Sequence, residues 1–282
     1  MSFFYFKIII IVKKLTYLLI LFFISNYLLS QKMRIVYEIE MRPDTLNLNK
    51  IEKDVHFLDI INFESYYYAP LYVSFNNNEV NQKLDNSQIL NKLKTAYTIY
   101  NNLQHNTVIN YIKLDEYYAY KDDVVINWDL KKDTLSILGH LCKSATMEFR
   151  GRKYTAWYAL DIPINEGPYK FKKLPGLILK ISSDDRDYSF EAVEIKNIDE
   201  TSSLIPSRIK LLSRKKYLKV LKQIAENPSK NDMLSNSSFN YKTYIEGKEV
   251  SNNEKYKLFN EMIWRFMKNH NNPVEKDDIW IR

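Results

Sequence analysis

Two strand-turn-strand signals follow each other between Leu141 and Ile195, and they commit the chain to a sheet-based fold. Leu141–Phe149 (LCKSATMEF) and Lys153–Ile162 (KYTAWYALDI) flank Arg150–Gly151–Arg152. Two strand-like runs around a short glycine-containing link form a hairpin. In the first run Cys142, Ser144, Thr146 and Glu148 share one face, and Leu141, Lys143, Ala145, Met147 and Phe149 share the other. Leu177–Ile181 (LILKI) and Tyr188–Ile195 (YSFEAVEI) are joined by SSDDRD, a polar turn cluster. The connection between the hairpins leads into GPYKFKKLPGLILKI, Gly167 to Ile181. Pro163 and Pro168 lack the N–H a sheet ladder needs. Gly167–Pro168 and Pro175–Gly176 are turn dipeptides, and Pro175–Gly176 predicts a type II turn with Gly176 at positive φ. Tyr169 and Phe171 alternate with Lys170 and Lys172 between the turns. The expectation is a tightly specified crossover followed by a buried strand.

The rest of the chain divides in character near residue 206. Met33–Met41 alternates Ile35, Tyr37, Ile39 and Met41 with Arg34, Val36, Glu38 and Glu40, the period of a half-buried strand. Val55–Tyr68 reads as one or two strands, and a short YVSF segment lies within 72–78. Residues 81–103 fit either a helix or an irregular insertion. Strand composition resumes at Thr107–Leu114 and Tyr117–Tyr120, Asp122–Asp123 marks a turn, and VVINWDL (124–130) reads as another strand. The 22 Tyr and 14 Phe of the chain suit pleated sheets. After Pro206 the apolar spacing becomes helical over Ser207–Asn227, with Ser207 as cap and Pro228 as stop. A polar linker leads to a second amphipathic helix over Asn253–Lys268. Strands followed by helices define the expected class: α+β, mainly β, a curved antiparallel sheet (an open half-barrel) with helices at the C-terminus.

Residues 1–30 differ in kind. They carry Lys7, Lys13 and Lys14, no acid, and an apolar run from Leu15 to Leu29 that ends at Ser30. This is the layout of a secretory signal peptide cleaved near Ser30; the extra apolar segment Phe3–Val12 also fits an uncleaved anchor. No other segment reads as a membrane span. The remainder, 31–282, is expected to be one domain, β-rich over 31–200 with helices within 207–270. Removing the three lysines lowers the formal charge from +7 to +4, and the remaining basic residues are interleaved with acids. A nucleic-acid surface needs a concentrated basic stripe instead. Cys142 is the single cysteine, so an internal disulfide is excluded, and a buried apolar role fits it best.

Catalytic signatures are sparse. The chain has no nucleophile elbow, P-loop, dinucleotide fingerprint or H-E-x-x-H. Ser207–Lys210 matches S-x-x-K but sits on a basic amphipathic stretch. His140 and Cys142 share a strand face, which allows two soft metal ligands or a Cys–His pair, yet no further ligand or orienting group is nominated. No metal and no cofactor are therefore expected. Glu148, Asp161 and Glu166 lie near the aromatic hairpin, where carboxylates can do acid–base work or pair with Arg150 and Arg152.

The residues between 128 and 195 carry a specific resemblance. The string G-x-x-C-x-x-A-x-x-x-F-R-G-R-x-x-x-A-W-Y (139–158), the segment I-P-I-x-x-G-P-Y-K-F (162–171) and the hexapeptide Lys173-Leu174-Pro175-Gly176-Leu177-Ile178 stand in that order. This resembles the GLPGLI family, exported proteins of Gram-negative bacteria with no established function. Asn271–Glu275 (NNPVE) also fits that family's layout. The departure is Lys172–Lys173, where the family usually has a small pair, so the loop is less permissive here. The resemblance implies export to the periplasm or outer-membrane surface and a structural role for Pro168, Leu174, Pro175, Gly176, Leu177 and Ile178. It implies no catalytic residue.

Three functions are open at this point. A non-catalytic binding module would use one face of the sheet, as open half-barrel carriers of the periplasm do in outline. Trp157, Tyr158, Tyr169 and Phe171 would line or rim its cleft, and Arg150 and Arg152 would meet an anionic group, so the ligand is apolar or anionic. An accessory subunit would instead dock on an outer-membrane protein partner. A hydrolase would use Asp161, Glu166 or Cys142.

Overall fold

The computed structural model describes residue 14 and residues 32–71, 73, 94–113, 117–198, 205, 208–230, 243–245 and 248–279. Its centre is one open, mixed sheet of twelve strands in the order β12-β6-β5-β4-β3-β2-β1-β11-β10-β9-β8-β7. The strands are β1 (Met33–Met41), β2 (Glu52–Ile61), β3 (Glu64–Tyr68), β4 (Thr98–Asn102), β5 (Thr107–Lys113), β6 (Tyr117–Asp122), β7 (Asp129–Ile137), β8 (His140–Phe149), β9 (Arg152–Ala159), β10 (Leu177–Ser183), β11 (Tyr188–Asn197) and β12 (Lys210–Ser213). Eleven of them make two meanders, β1 to β6 and β7 to β11, joined where β1 pairs antiparallel with β11 from Met33↔Asn197 to Met41↔Tyr188. Only β12 runs parallel to its neighbour, β6.

The expected class therefore holds: mainly β, one large unclosed sheet, helices late in the chain. The sheet curls strongly. In a flat sheet with strands about 4.8 Å apart, β6 and β8 would lie about 40 Å from each other. Yet Arg150, in the turn after β8, donates to Asp122 at the end of β6 over 2.6 Å. The inner face consequently wraps the main apolar core: Ile35, Tyr37 and Ile39 of β1, Leu58 of β2, Tyr67 of β3, Ala145 and Phe149 of β8, Tyr154 of β9, Ile181 of β10 and Phe190 of β11 are all fully or nearly fully buried.

The hairpins form where the local sequence asks for them. Phe149 pairs with Arg152 across a two-residue turn in which Arg150 (φ 48°) and Gly151 (φ 81°) are both left-handed, the backbone that matches strand twist. Leu138 (φ 51°) and Gly139 (φ 83°) repeat this between β7 and β8. Strands at 33–41, 107–113, 117–122, 177–183 and 188–197 fall where expected, and 55–68 divides into β2 and β3.

Four local expectations are corrected. The strand placed over 124–130 begins only at Asp129. Val124 and Ile126 are buried in the core as unpaired extended chain, and Trp128 donates to the Lys172 carbonyl over 2.8 Å. The helix placed over 207–227 is β12 followed by α1 (Arg214–Glu226), capped by Ser213; Ser207 lies outside the described residues. Leu211 and Leu212 fit a helical period, but the free edge of β6 recruits them as a strand. The polar linker contains a two-stranded ribbon, β13 (Thr243–Ile245) with β14 (Lys248–Val250). Gly176 does not adopt positive φ; only Gly139 and Gly151 do among the described glycines. The reason for glycine there is closeness, since a Cβ on Gly176 would stand 2.1 Å from the Ala159 carbonyl oxygen. The second expected helix is α2 (Asn252–Asn269), capped by Ser251. Most of 72–78, 81–93 and the N-terminal segment lie outside the described residues.

Candidate functional site

The crossover of residues 160–176 is not a surface strap. It enters the hollow of the sheet and supplies its filling. Phe171 is fully buried against Phe149, Tyr154, Tyr169 and Phe190, with ring centroids 4.8–5.9 Å apart. The path needs two left-handed residues. Tyr169 (φ 56°) sits in a turn closed by Phe171 N–H to the Pro168 carbonyl, and Lys173 (φ 74°) donates its N–H to the Asn165 carbonyl. Gly167 has no room for a side chain, because a Cβ would lie 2.7 Å from Ile178 Cβ. Leu174 and Leu177 to Ile178 are buried core residues, and Pro168 is buried. Of the six motif residues only Pro175 is exposed.

A segment that turns inside a sheet must satisfy its polar groups there. Both lysines that alternate with Tyr169 and Phe171 are buried, not solvated. They meet polar positions on the inner face of β3 to β6. Lys170 Nζ donates to Asp122 Oδ2 over 2.7 Å, to Glu275 Oε1 over 2.5 Å and to Tyr120 Oη over 3.2 Å. Glu275 also accepts from Tyr169 Oη (2.8 Å) and Arg214 (2.8 Å) and pairs with Arg150 (3.2 Å). Lys170 and Arg150 are the main charges that hold its carboxyl down at about 2 despite burial. This network locks the crossover to the C-terminal segment 271–278.

The second polar group has a different balance. Glu166 accepts from Ser65 Oγ on β3 (2.9 Å) and from Asn101 Nδ2 on β4 (2.5 Å), and Lys172 Nζ donates to Asn101 Oδ1 (2.7 Å). Burial dominates here and pushes the Glu166 carboxyl up to about 7, against the pull of Lys172 and the two hydrogen bonds. The same burial pushes Lys172 below the ordinary lysine value. Burial thus disfavours the charged form of both groups, and Glu166 holds its proton up to about pH 7.

Glu166, Asn101 and Lys172 form one wall of a pocket of about 510 Å³. Its mouth is built from the β2–β3 turn (Asn62, Phe63), the β4–β5 turn (Leu103, Gln104, Asn106) and the loop residues 163–165 and Lys173. The two turns are tied by Leu103 N–H to the Phe63 carbonyl, 2.8 Å. Asn62 (φ 55°) and Asn106 (φ 49°) hold left-handed backbone, which asparagine tolerates better than most residues. The pocket lies within the size range of small-ligand sites.

The expected binding residues are placed as follows. Arg150 is engaged by Asp122 and Glu275. Arg152 is buried and held by Asp185, Asp187, Asn272 and the Pro273 carbonyl (3.1 Å). Tyr169 and Phe171 are core, Tyr158 is buried, and Trp157 is half-buried on the opposite face of β9 from Tyr154 and Tyr158. The structure brings none of these six to the 510 Å³ pocket, although Tyr169 borders a smaller tyrosine-lined hollow near Tyr97 and Tyr217. Among the candidate catalytic groups, Glu148 is exposed, and Asp161 is an exposed partner of His140 (2.6 Å). Burial pushes the Cys142 thiol up to about 11, so it is unreactive at neutral pH. Of these groups Glu166 lines the 510 Å³ pocket. No group of three or more metal-ligating side chains occurs among the described residues. Nor is any helix there long and apolar enough to cross a membrane.

Residues 143–180 match the model of a family described as "Protein of unknown function (Porph_ging)". No curated protein matches the chain. Two solved structures of PNGF-II, in space groups P21 and C2, are similar at TM-scores of 0.51 and 0.52. Each is 17% identical and covers 68% of this chain and 33% of its own. The chain thus spans about a third of the length of the structures it matches. At that identity the likeness shows the fold alone.

Proposed function

We propose that the chain is an exported, GLPGLI-type envelope protein that binds a small ligand in the pocket bounded by Asn101, Glu166, Lys172 and Lys173. The observation that carries this reading is a buried, polar wall facing an open volume of about 510 Å³. Burying Glu166 and Lys172 is costly in a purely structural element, and a pocket wall gives both groups something to recognise. The reading moves the ligand away from Arg150 and Arg152, whose charges are already met by internal acids.

Binding fits the pocket better than hydrolysis. Acid–base hydrolysis uses two carboxyls or a nucleophile with its base. The described residues of the pocket supply one carboxyl, side-chain amides and two lysines. Export rests on the basic and apolar character of residues 1–30, and periplasmic or outer-membrane placement on the GLPGLI resemblance.

Native mass spectrometry of the protein isolated from an envelope fraction tests both parts. The expected result is a mature N-terminus near Gln31 and a bound small molecule that disappears in Glu166→Leu and Lys172→Met variants. A protein recovered from the cytosol with residues 1–30 intact would refute export. An adduct indifferent to both substitutions, or none at all, would refute the pocket.

A further inference from the structure

The 510 Å³ pocket has a particular chemistry. Its polar lining is dominated by side-chain amides, from Asn62, Asn101, Gln104, Asn106 and Asn165. An amide presents a donor pair and an acceptor on one planar group, which suits a ligand whose own groups both donate and accept. Sugar hydroxyls are such groups. Glu166 stands behind these amides, its two oxygens engaged by Ser65 and Asn101, and fixes the polar base of the pocket. At the mouth, the Phe63 ring is exposed on a turn whose neighbour Asn62 fixes the backbone. An exposed ring beside a polar cleft offers the flat apolar surface against which the C–H face of a pyranose packs.

The alternatives fit less well. A fatty acid would lay an alkyl chain against the amides of Asn62, Gln104, Asn106 and Asn165 and offer them no hydrogen-bond partner. An extended peptide is commonly held by adding a strand to a sheet edge. The pocket sits at the tips of two turns already bonded to each other through Leu103 N–H and the Phe63 carbonyl, so no open ladder edge is offered there. A strongly anionic ligand would face Glu166 beside Lys172, leaving Lys173 at the rim as the unopposed cation.

We propose that this pocket takes a short neutral oligosaccharide, with Phe63 stacking on one ring, the amides reading its hydroxyls and Asn101 with Glu166 at the base. This rests on the pocket reading given above. The volume is within the 300–1,000 Å³ typical of small-ligand sites, enough for a disaccharide or slightly more.

Isothermal titration calorimetry of the purified protein against N,N′-diacetylchitobiose, cellobiose and maltotriose tests it, with trialanine and laurate as the peptide and lipid arms. The expected result is saturable binding of at least one of the sugars and of neither other probe. Phe63→Ala and Gln104→Ala, both at exposed positions and safe for folding, should each weaken it about tenfold, the loss of about 1.4 kcal/mol. Lys131→Ala on the distant β7 edge should leave it unchanged. Binding of trialanine or laurate in place of the sugars, with the same sensitivity to Phe63, would overturn the sugar class and leave the pocket standing. Sugar binding indifferent to Phe63 and Gln104 would place the site elsewhere. No binding of any sugar would overturn the inference, and the mass-spectrometric test would then decide the pocket alone.

Discussion

Replacing Glu166 by glutamine isolates the energetic consequence of burying an acid in the crossover. The side chain keeps its shape and its reach to Asn101 and Ser65, and loses only its titration. The wild-type carboxyl moves from an ordinary value of 4.5 to about 7. At about 1.4 kcal/mol per pH unit this gap is worth on the order of 3 kcal/mol. The sign follows from which state holds the proton. Between pH 4.5 and about 7 the folded protein binds a proton that the unfolded chain has released. Stability from this group is complete below 4.5 and is lost as pH rises through 7. Wild type should therefore lose about 3 kcal/mol between pH 4.5 and 8 that Glu166→Gln does not lose.

Other groups cancel or lie outside this window. Burial and repulsion from Glu275 raise Asp278 to about 6, but Asp278 is present in both proteins. Glu275, held at about 2, contributes stability that is complete above 4.5 and is lost only as pH falls toward 2. Urea unfolding of both proteins at pH 5, 6, 7 and 8 reads the difference directly. In thermal scans it amounts to about 6–12 °C, at 2–4 °C per kcal/mol. Parallel stability profiles would show that Glu166 is not buried in the manner described.

Other outcomes follow from the same architecture. Phe171→Ala should cost about 3–5 kcal/mol, since it empties the centre of the core; retention of the wild-type denaturation midpoint would place the crossover outside the sheet. Gly176→Ala should prevent soluble expression or lower the midpoint severely, because the added methyl meets the Ala159 carbonyl at 2.1 Å; a neutral effect would contradict this close approach. Cys142 should react with a thiol reagent only on unfolding at pH 7.5, given a thiol near 11; rapid labelling of the native protein would refute its burial.

The fold was more legible in the sequence than the site, for physical reasons. Hairpins are written locally: Arg150–Gly151 and the Met33–Met41 alternation each specify their own geometry within a few residues. Where a strand lacks one buried face, the signal fades. All but the last residue of β7 are exposed at the sheet's edge, so no alternation marks it, while Val124 and Ile126 alternate without any strand partner. Segment β12 shows the opposite conflict, a helical period overridden by the free edge of β6. The pairing of β1 with β11, which joins the two meanders, is a long-range event with no local signature.

The site was harder to read. In YKFKK the alternation does not say which side chains meet water, and residues 169–172 all lie inside the sheet. A clue was present in Ser65, Asn101, Asn110 and Asp122. Each occupies an inward position on its strand, and inward polar residues need internal partners. The sequence could not pair them with Glu166, Lys170 and Lys172 without the curl of the sheet. Arg150 and Arg152, conspicuous beside a hairpin, turned out to be partners of Asp122, Glu275, Asp185 and Asp187.

The proposed role of the crossover is to hold Glu166 as a buried, neutral acid in the wall of a binding pocket. Carbon-13 NMR of the Glu166 side-chain carboxyl, assigned by its loss in Glu166→Gln, tests this most directly. The expected result is a titration midpoint of about 7 in the free protein and a changed midpoint when a sugar that binds in calorimetry is added. A midpoint at the ordinary 4.5, unmoved by such a ligand, would contradict it.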